Sequence, residues 1–295
     1  MNPQWAYPQF RPLDLDCKPI FDAAFKDYPP QISEFTFTNL YSWRQVYGYQ
    51  FCLLKDALIL RADTGKAAFF LPPIGRPGTL AGPVKQILLE TNIPFCRVPE
   101  ELVLALKEDP ALEILEDRDN FDYLYTCSEL IDLGGRKYDG KRNQIKKFKA
   151  EYEYNYQGAG VGAKEILELE ESWCGAKSCD AVEGLNNERR AIREIAEHFR
   201  EFTLFSGVIR IKDKICALAI AERLNPETLV MHVLKADPSF AGLYQVMLND
   251  FLRADSGDFK YVNLEQDLGI PGLRASKQSY QPVKLIKKYT LSLKK

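Results

Sequence analysis

The side chains in this chain best suited to chemistry gather in one stretch, Tyr261-Val-Asn-Leu-Glu-Gln-Asp-Leu-Gly-Ile-Pro-Gly-Leu-Arg-Ala-Ser-Lys-Gln-Ser-Tyr-Gln-Pro282. Asn263, Glu265 and Asp267 recur at every second position, the spacing that turns side chains to one face of a strand. Gly269 and Gly272 permit a tight turn with close backbone approach. Arg274 and Lys277 follow three apart, on one face of a helix. An amide, two carboxylates, two glycines and two cations on one loop can hold a polar or anionic group, and such groups cluster at functional sites. The same residues admit a plainer arrangement, in which Glu265 and Asp267 pair with Arg274 and Lys277 to fasten a helix to a strand end. Surface pairs of that kind contribute only about 0–1 kcal/mol.

The elements around this stretch must position it. Phe259, Tyr261, Val262 and Leu264 supply the aromatic and β-branched residues of a strand over 259–265, followed by a helix over 273–278. Upstream, 203–211, 215–223 and 228–236 read as a three-strand meander, then a helix over 243–253. Before the meander come a basic helix over 140–151, a strand over 152–157, and helices over 164–173 and 187–202. The last of these is amphipathic, with Ile192, Ile195, Ala196, Phe199 and Phe202 on one side. The first half predicts a helix over 32–47 capped by Ser33, and strands over 49–54, 57–62 and 67–71. A helix over 80–89, a strand over 95–98, a helix over 100–107 and strands over 112–116 and 122–131 complete it. The chain closes on a strand over 283–293. The two halves thus repeat in pattern, although not in residues. Two α/β (α+β) domains are expected, 1–131 and 132–295, each a mixed, mostly antiparallel sheet flanked by helices.

Composition narrows the function. The 295 residues are 46% hydrophobic and 27% charged, enough to give two domains a core each. No run approaches the roughly 20 apolar residues needed to cross a bilayer. The first residues lack the pattern of a secretion signal, and the seven cysteines are scattered without a CxxC pair. A cytoplasmic chain with reduced thiols and no metal centre is the expectation. Net charge is −2, yet Arg136, Lys137, Lys141, Arg142, Lys146, Lys147 and Lys149 crowd one segment with a single acid, Asp139. Arg142, Lys146 and Lys149 share a helix face, which could meet phosphates or simply face solvent. His232, mid-strand, reads as a hydrogen-bonded core residue, His198 as surface and Cys216 as core. Two histidines so placed do not support a Ser-His-Asp triad, and no nucleotide-loop motif opens a helix.

The element order of the second half is that of the acyl-CoA N-acyltransferase (GNAT) fold. Three strings, 32–44, 140–148 and above all Asn263-Leu-Glu-Gln-Asp-Leu-Gly-Ile-Pro-Gly-Leu-Arg-Ala-Ser-Lys-Gln-Ser-Tyr280, resemble an uncharacterised bacterial family. That family is related to the C-terminal domain of phosphatidylglycerol lysyltransferases and, more distantly, to FemXAB peptidyltransferases. The resemblance implies tandem GNAT-like domains. It also implies transfer of an aminoacyl group from aminoacyl-tRNA to an amine or hydroxyl, such as a phospholipid headgroup or a cell-wall precursor. A location in the cytoplasm, peripheral to the membrane, would suit that work.

One departure bears on the cofactor. CoA-binding members carry a Q/R-x-x-G-x-G/A loop whose N–H groups hold pyrophosphate. Here the position reads Asp237-Pro-Ser-Phe-Ala-Gly242, which keeps one glycine, loses a donor to proline and adds an anion. CoA is therefore not expected as a cofactor. For aminoacyl transfer, Glu265 or Asp267 would serve as base, and Arg274 or Lys277 would stabilise the oxyanion or the leaving ribose-phosphate. Asn263 would orient the carbonyl. Gly269, Gly272, Ser279 and Tyr280 would complete the substrate site, Tyr280 as proton donor or as a packed aromatic. Lys141, Arg142, Lys146 and Lys149 would meet tRNA phosphates. This site is expected in a cleft between the domains. The competing readings are a non-catalytic protein that binds a polar ligand, and an acetyl-CoA-dependent N-acetyltransferase with a degenerate phosphate loop.

Overall fold

The computed structural model describes residues 5–158, 161–177 and 182–294. Six strands come first, β1 (Arg11–Pro12), β2 (Gln50–Leu54), β3 (Ala57–Asp63), β4 (Ala68–Phe70), β5 (Phe95–Pro99) and β6 (Leu112–Glu116). Helices α1 (Lys18–Asp27), α2 (Phe37–Tyr47), α3 (Ala81–Thr91) and α4 (Glu100–Leu106) are interspersed. Then follow β7 (Asp122–Thr126), α5 (Cys127–Asp132), α6 (Asp139–Glu151), β8 (Asn155–Gln157), α7 (Ala163–Lys177) and α8 (Glu183–Glu197). The meander β9 (Leu204–Ile211), β10 (Lys214–Asn225) and β11 (Thr228–Ala236) leads to α9 (Leu243–Asp255), β12 (Tyr261–Asn263) and α10 (Pro271–Gln278). Strands β13 (Lys284–Ile286) and β14 (Lys288–Leu293) end the chain.

These strands form two seven-stranded sheets, β1-β2-β3-β4-β5-β14-β6 and β8-β9-β10-β11-β12-β7-β13. Both orders are the same: five strands in sequence, one strand from elsewhere in the chain, then the sixth. The repeated pattern in the sequence is therefore a repeated topology. The sixth place, however, is filled reciprocally. β14 lies antiparallel to both β5 and β6 in the first sheet, and β7 lies antiparallel to β12 in the second. The compact units accordingly differ from the contiguous halves 1–131 and 132–295. The first unit comprises residues up to Asp122 together with Gln266–Pro271 and the stretch from Leu285 onward. The second comprises Tyr123–Glu265 and Gly272–Lys284.

Each unit buries its own core. In the first, Ile59, Phe70, Val84, Ile87, Phe95 and Leu291 meet, so the closing strand contributes directly. In the second, Ile166 and Leu169 of α7 and Ile192 and Ile195 of α8 pack on Val208, Leu218 and Ile220 of the meander. Each such side chain contributes about 1.5–3 kcal/mol on burial.

A polar cluster completes the first unit. The Lys288 ammonium, fully buried on β14, lies 2.8 and 2.7 Å from the two oxygens of Glu34 and 2.7 Å from Asp122 Oδ1. Arg97 Nε sits 3.1 Å from Glu34. The Ser33 N–H and hydroxyl both donate to Asp122, at 2.8 and 2.9 Å. That use of Ser33 explains why it caps no helix: α2 begins later, with the Thr36 hydroxyl accepting from the Asn39 N–H.

Two further expectations change. Residues 122–131 hold a strand only to Thr126, after which the chain turns into α5. Cys17, Cys52, Cys96, Cys127 and Cys216 are free thiols, but Cys174 is disulfide-bonded, so the thiols are not all reduced. Cys179 lies outside the described residues.

Candidate functional site

Strands β11 and β12 run parallel and pair at three positions only, Thr228 with Tyr261, Leu229 with Val262 and Val230 with Asn263. β12 then ends, while β11 continues to Ala236. Carrying the register two residues beyond the last pair sets His232 opposite Glu265. Their side chains meet there, His232 Nδ1 lying 2.9 Å from Glu265 Oε1. On the other side of β11, Ile220 pairs with Val233 and Ala221 with Met231, which leaves His232 as the extra residue of a β-bulge. Bulges re-aim a side chain, and they recur beside active sites. This one brings His232 Nε2 to 2.7 Å from Glu222 Oε1 on β10. Glu222 on β10, His232 on β11 and Glu265 just after β12 are thus joined side by side, where the parallel pair stops.

Glu265 is held by its backbone as well. Its φ is +57°, left-handed for a residue with a Cβ, a conformation that the surroundings must enforce. Its N–H donates to Asn263 Oδ1 at 2.8 Å, and its carbonyl accepts from the Tyr123 N–H at 3.2 Å. Asn263 is fully buried and serves as this anchor. The Lys277 ammonium donates to the neighbouring carbonyl of Leu264, and the Tyr125 hydroxyl donates to the Lys277 carbonyl at 2.7 Å. The Glu265 side chain is 23% exposed, against 12% for Glu222 and 5% for His232, so Glu265 is the member that a ligand can reach.

Burial alone would push the His232 pKa down. The hydrogen bonds to Glu222 and Glu265 outweigh it and hold the ring up at about 10. The imidazolium between two carboxylates leaves the trio with one net negative charge.

The alternation expected for Asn263, Glu265 and Asp267 fails, because the strand ends at Asn263 and the backbone turns left-handed at Glu265 and Leu268. Asp267 belongs to the first unit and is fully buried. Its carboxylate accepts from Arg118 Nη1 at 3.1 Å and from the Gly269 N–H at 2.9 Å. It anchors its loop and is not exposed to act as a base. Asp267 pairs with Arg118 at 3.1 Å, and Glu265 pairs with His232 at 2.9 Å. Gly269 is a true requirement, since φ is +71° and a Cβ there would stand 2.7 Å from Asp119 Oδ2. Gly272, near the start of α10, meets open space. Arg274 is half-buried on α10, and the Ser279 hydroxyl donates to the Ser276 carbonyl at 2.5 Å. Tyr280 is 3% exposed and packs edge-on to Tyr125, as a packed aromatic does.

The basic helix α6 is less uniform than its sequence. Arg142 donates to the carbonyls of Leu133 and Gly135 and to Asp139, closing the end of α5. Lys149 pairs with Asp250 at 3.3 Å. The Lys141 ammonium lies 3.9 Å from the centre of the Tyr280 ring, and burial lowers its pKa. Lys146 and Lys147 are exposed. The same helix lies against the start of α9: a Cβ on Gly242, whose φ is +93°, would be 2.6 Å from the Gln144 carbonyl oxygen.

Sequence reasoning missed the role of His232 as the bridge between carboxylates. The available signal was an acid, Glu222, just after the apolar run 215–221 and a histidine inside the apolar run 229–234. His198 follows α8, and with Glu194 and Glu197 it forms the one group of potential metal ligands among the described residues. No helix of the described residues is long and apolar enough to cross a membrane.

Comparison with known proteins gives the fold and the family. A solved structure of a conserved protein of unknown function from Bacteroides thetaiotaomicron is 32% identical, with a TM-score of 0.89, over 97% of this chain and 99% of that one. The structure of L-PGS from Bacillus licheniformis matches at 14% identity and a TM-score of 0.64, over 93% and 91% of the two chains. FemX matches at 9% identity and 0.59, over 92% and 95%. These distant likenesses confirm the tandem GNAT-like fold. A curated relative, an uncharacterized protein of Mycoplasmoides gallisepticum, is 23% identical over 177 residues. That match spans 58% of this chain and only 56% of the relative's length. The family description "Phosphatidylglycerol lysyltransferase, C-terminal" fits residues 25–292. The chain belongs to the family of the phosphatidylglycerol lysyltransferase C-terminal domain.

Proposed function

We propose that this protein transfers an aminoacyl group from aminoacyl-tRNA to an amine or hydroxyl acceptor, with Glu265 as the base. The observation that carries this reading is the Glu265 carboxylate, fixed by His232 at the end of the parallel strand pair and yet open to a ligand. Family membership supports aminoacyl transfer as the reaction class. The acceptor must lose a proton as its lone pair attacks the ester carbonyl, and a positioned carboxylate within reach supplies that service.

The donor is inferred from α6. Its contact with Gly242 crowds the place where a CoA pyrophosphate would meet the start of α9, which favours a donor other than CoA. Lys146 and Lys147 stand exposed on that helix, suited to the phosphates of a polynucleotide. Arg142 and Lys149 are engaged with protein partners and are assigned no share in that contact. The acceptor class is a lipid headgroup or a cell-wall precursor.

A donor comparison tests the reading. Radiolabelled aminoacyl-tRNAs and acetyl-CoA are offered separately, with phosphatidylglycerol vesicles and peptidoglycan precursors as acceptors. Label moving from a charged tRNA to an acceptor is the expected result. Label moving from acetyl-CoA alone would replace the reading with acetyl transfer. Ligand binding without transfer from any donor would leave a non-catalytic binding protein.

A further inference from the structure

Both ring nitrogens of His232 face carboxylate oxygens, at 2.9 and 2.7 Å. A neutral imidazole has one N–H donor and one lone pair, so between two ionised carboxylates one of those contacts would set acceptor against acceptor. A ring protonated on both nitrogens donates to both. The two facing carboxylates come from different elements, Glu222 from β10 and Glu265 from the segment after β12, and the bulge on β11 supplies the ring between them. Glu265 Oε1 is occupied by the ring, while Glu265 Oε2 has no partner among the described residues.

We propose that His232 is a fixed imidazolium and a positioning residue, holding Glu265 by one oxygen so that Oε2 takes the proton of the substrate's attacking N–H or O–H. This deepens the transfer reading and rests on it for the identity of the reaction. As the acceptor atom bonds to the ester carbonyl carbon, its proton passes to Oε2. When the tetrahedral centre collapses, the C–O bond to the ribose breaks with its electron pair on that oxygen. The proton on Oε2 then passes to the departing oxygen, so Glu265 ends ionised as it began. His232 keeps both of its protons throughout, and Glu222 balances its charge. Glu265 is the catalytic residue here; His232 and Glu222 act through it.

A test that needs no substrate uses the histidine content of the chain, which has only two, His198 and His232. Long-range proton–nitrogen NMR of the ¹⁵N-labelled 295-residue chain resolves two rings. His232 should keep both nitrogens protonated beyond pH 9. A His232 ring with one bare nitrogen at pH 7 overturns the proposal. Glu222→Gln removes one carboxylate and should lower the His232 titration by at least tenfold in proton affinity.

The positioning role has its own readout. His232→Gln deletes the charge beside Glu265, so the acidic limb of the kcat–pH profile should move upward by a unit or more. An unmoved limb, with folding intact, also overturns the proposal. The two failures are separable. A neutral His232 sinks this inference whatever reaction is found, while a charged His232 in a protein without transfer activity sinks only the reaction.

Discussion

Replacing Lys288 by Met removes the ammonium that lies within 2.8 Å of three carboxylate oxygens in the first unit. Glu34, Asp122, Arg97 and Lys288 together balance to zero charge, and the substitution leaves a net −1 in a site where Lys288 and Asp122 have no solvent exposure. Stripping one partner from a buried ionic group costs about 3–5 kcal/mol. With total stabilities of about 5–15 kcal/mol, that is a large share. At about 2–4 °C per kcal/mol for a protein above 150 residues, Tm should fall by about 6–20 °C.

The loss should depend on pH with a definite sign. Burial already raises the Glu34 pKa above its ordinary 4.5, the more so beside Asp122, and only Lys288 and Arg97 oppose this. Without Lys288 the folded state holds a carboxyl proton more tightly than the unfolded chain does. Stability therefore rises as pH falls. Urea melts of wild type and variant at several pH values should show the gap narrowing as pH falls from neutrality toward 4.5. A second variant, Glu34→Gln with Lys288→Met, should recover part of the loss. A cost below about 1 kcal/mol at neutral pH, the level of an exposed pair, would refute the reasoning.

Four other outcomes follow from the placement of particular residues. Asp267→Asn should lower stability by about 1–3 kcal/mol through Arg118 and the Gly269 N–H, measured by denaturant titration. Gly269→Ala should cost at least about 1–2 kcal/mol from the left-handed backbone alone, with the crowding against Asp119 added, measured in the same melts. Lys146→Glu with Lys147→Glu should weaken tRNA binding and flatten its dependence on log salt by about two phosphate contacts, measured by filter binding. Arg142→Glu should instead lower Tm, because Arg142 holds the carbonyls after α5.

Local signals in the sequence are faithful where local chemistry decides. The meander, expected over 203–236, stands as β9, β10 and β11 with turns where Asn225-Pro-Glu227 and Lys212-Asp213 foretell them. The helix expected at 273 begins earlier, at Pro271, a residue whose fixed φ suits a first helical turn. Long-range pairing leaves no such trace. Nothing in 283–293 states that its second part, β14, will join the first sheet, so contiguous halves are the natural reading of the sequence. The site divides in the same way. Glu265 and Asn263 are legible as polar residues ending an apolar strand. Asp267 beside them is not, because its partner, Arg118, is 149 positions away. The pairing of His232 with Glu222 and Glu265 depends on a one-residue bulge, and a register shift of that size has no signature in composition or period.

The proposed role of Glu265, taking the acceptor's proton during aminoacyl transfer, is open to measurement. Single-turnover transfer from a charged tRNA, followed for wild type and Glu265→Gln at equal Tm, tests it most directly. If Glu265 is the base, the variant's rate should be lower by about 10²–10⁴ with donor binding unchanged. Transfer by the Glu265→Gln variant at the wild-type rate would contradict it.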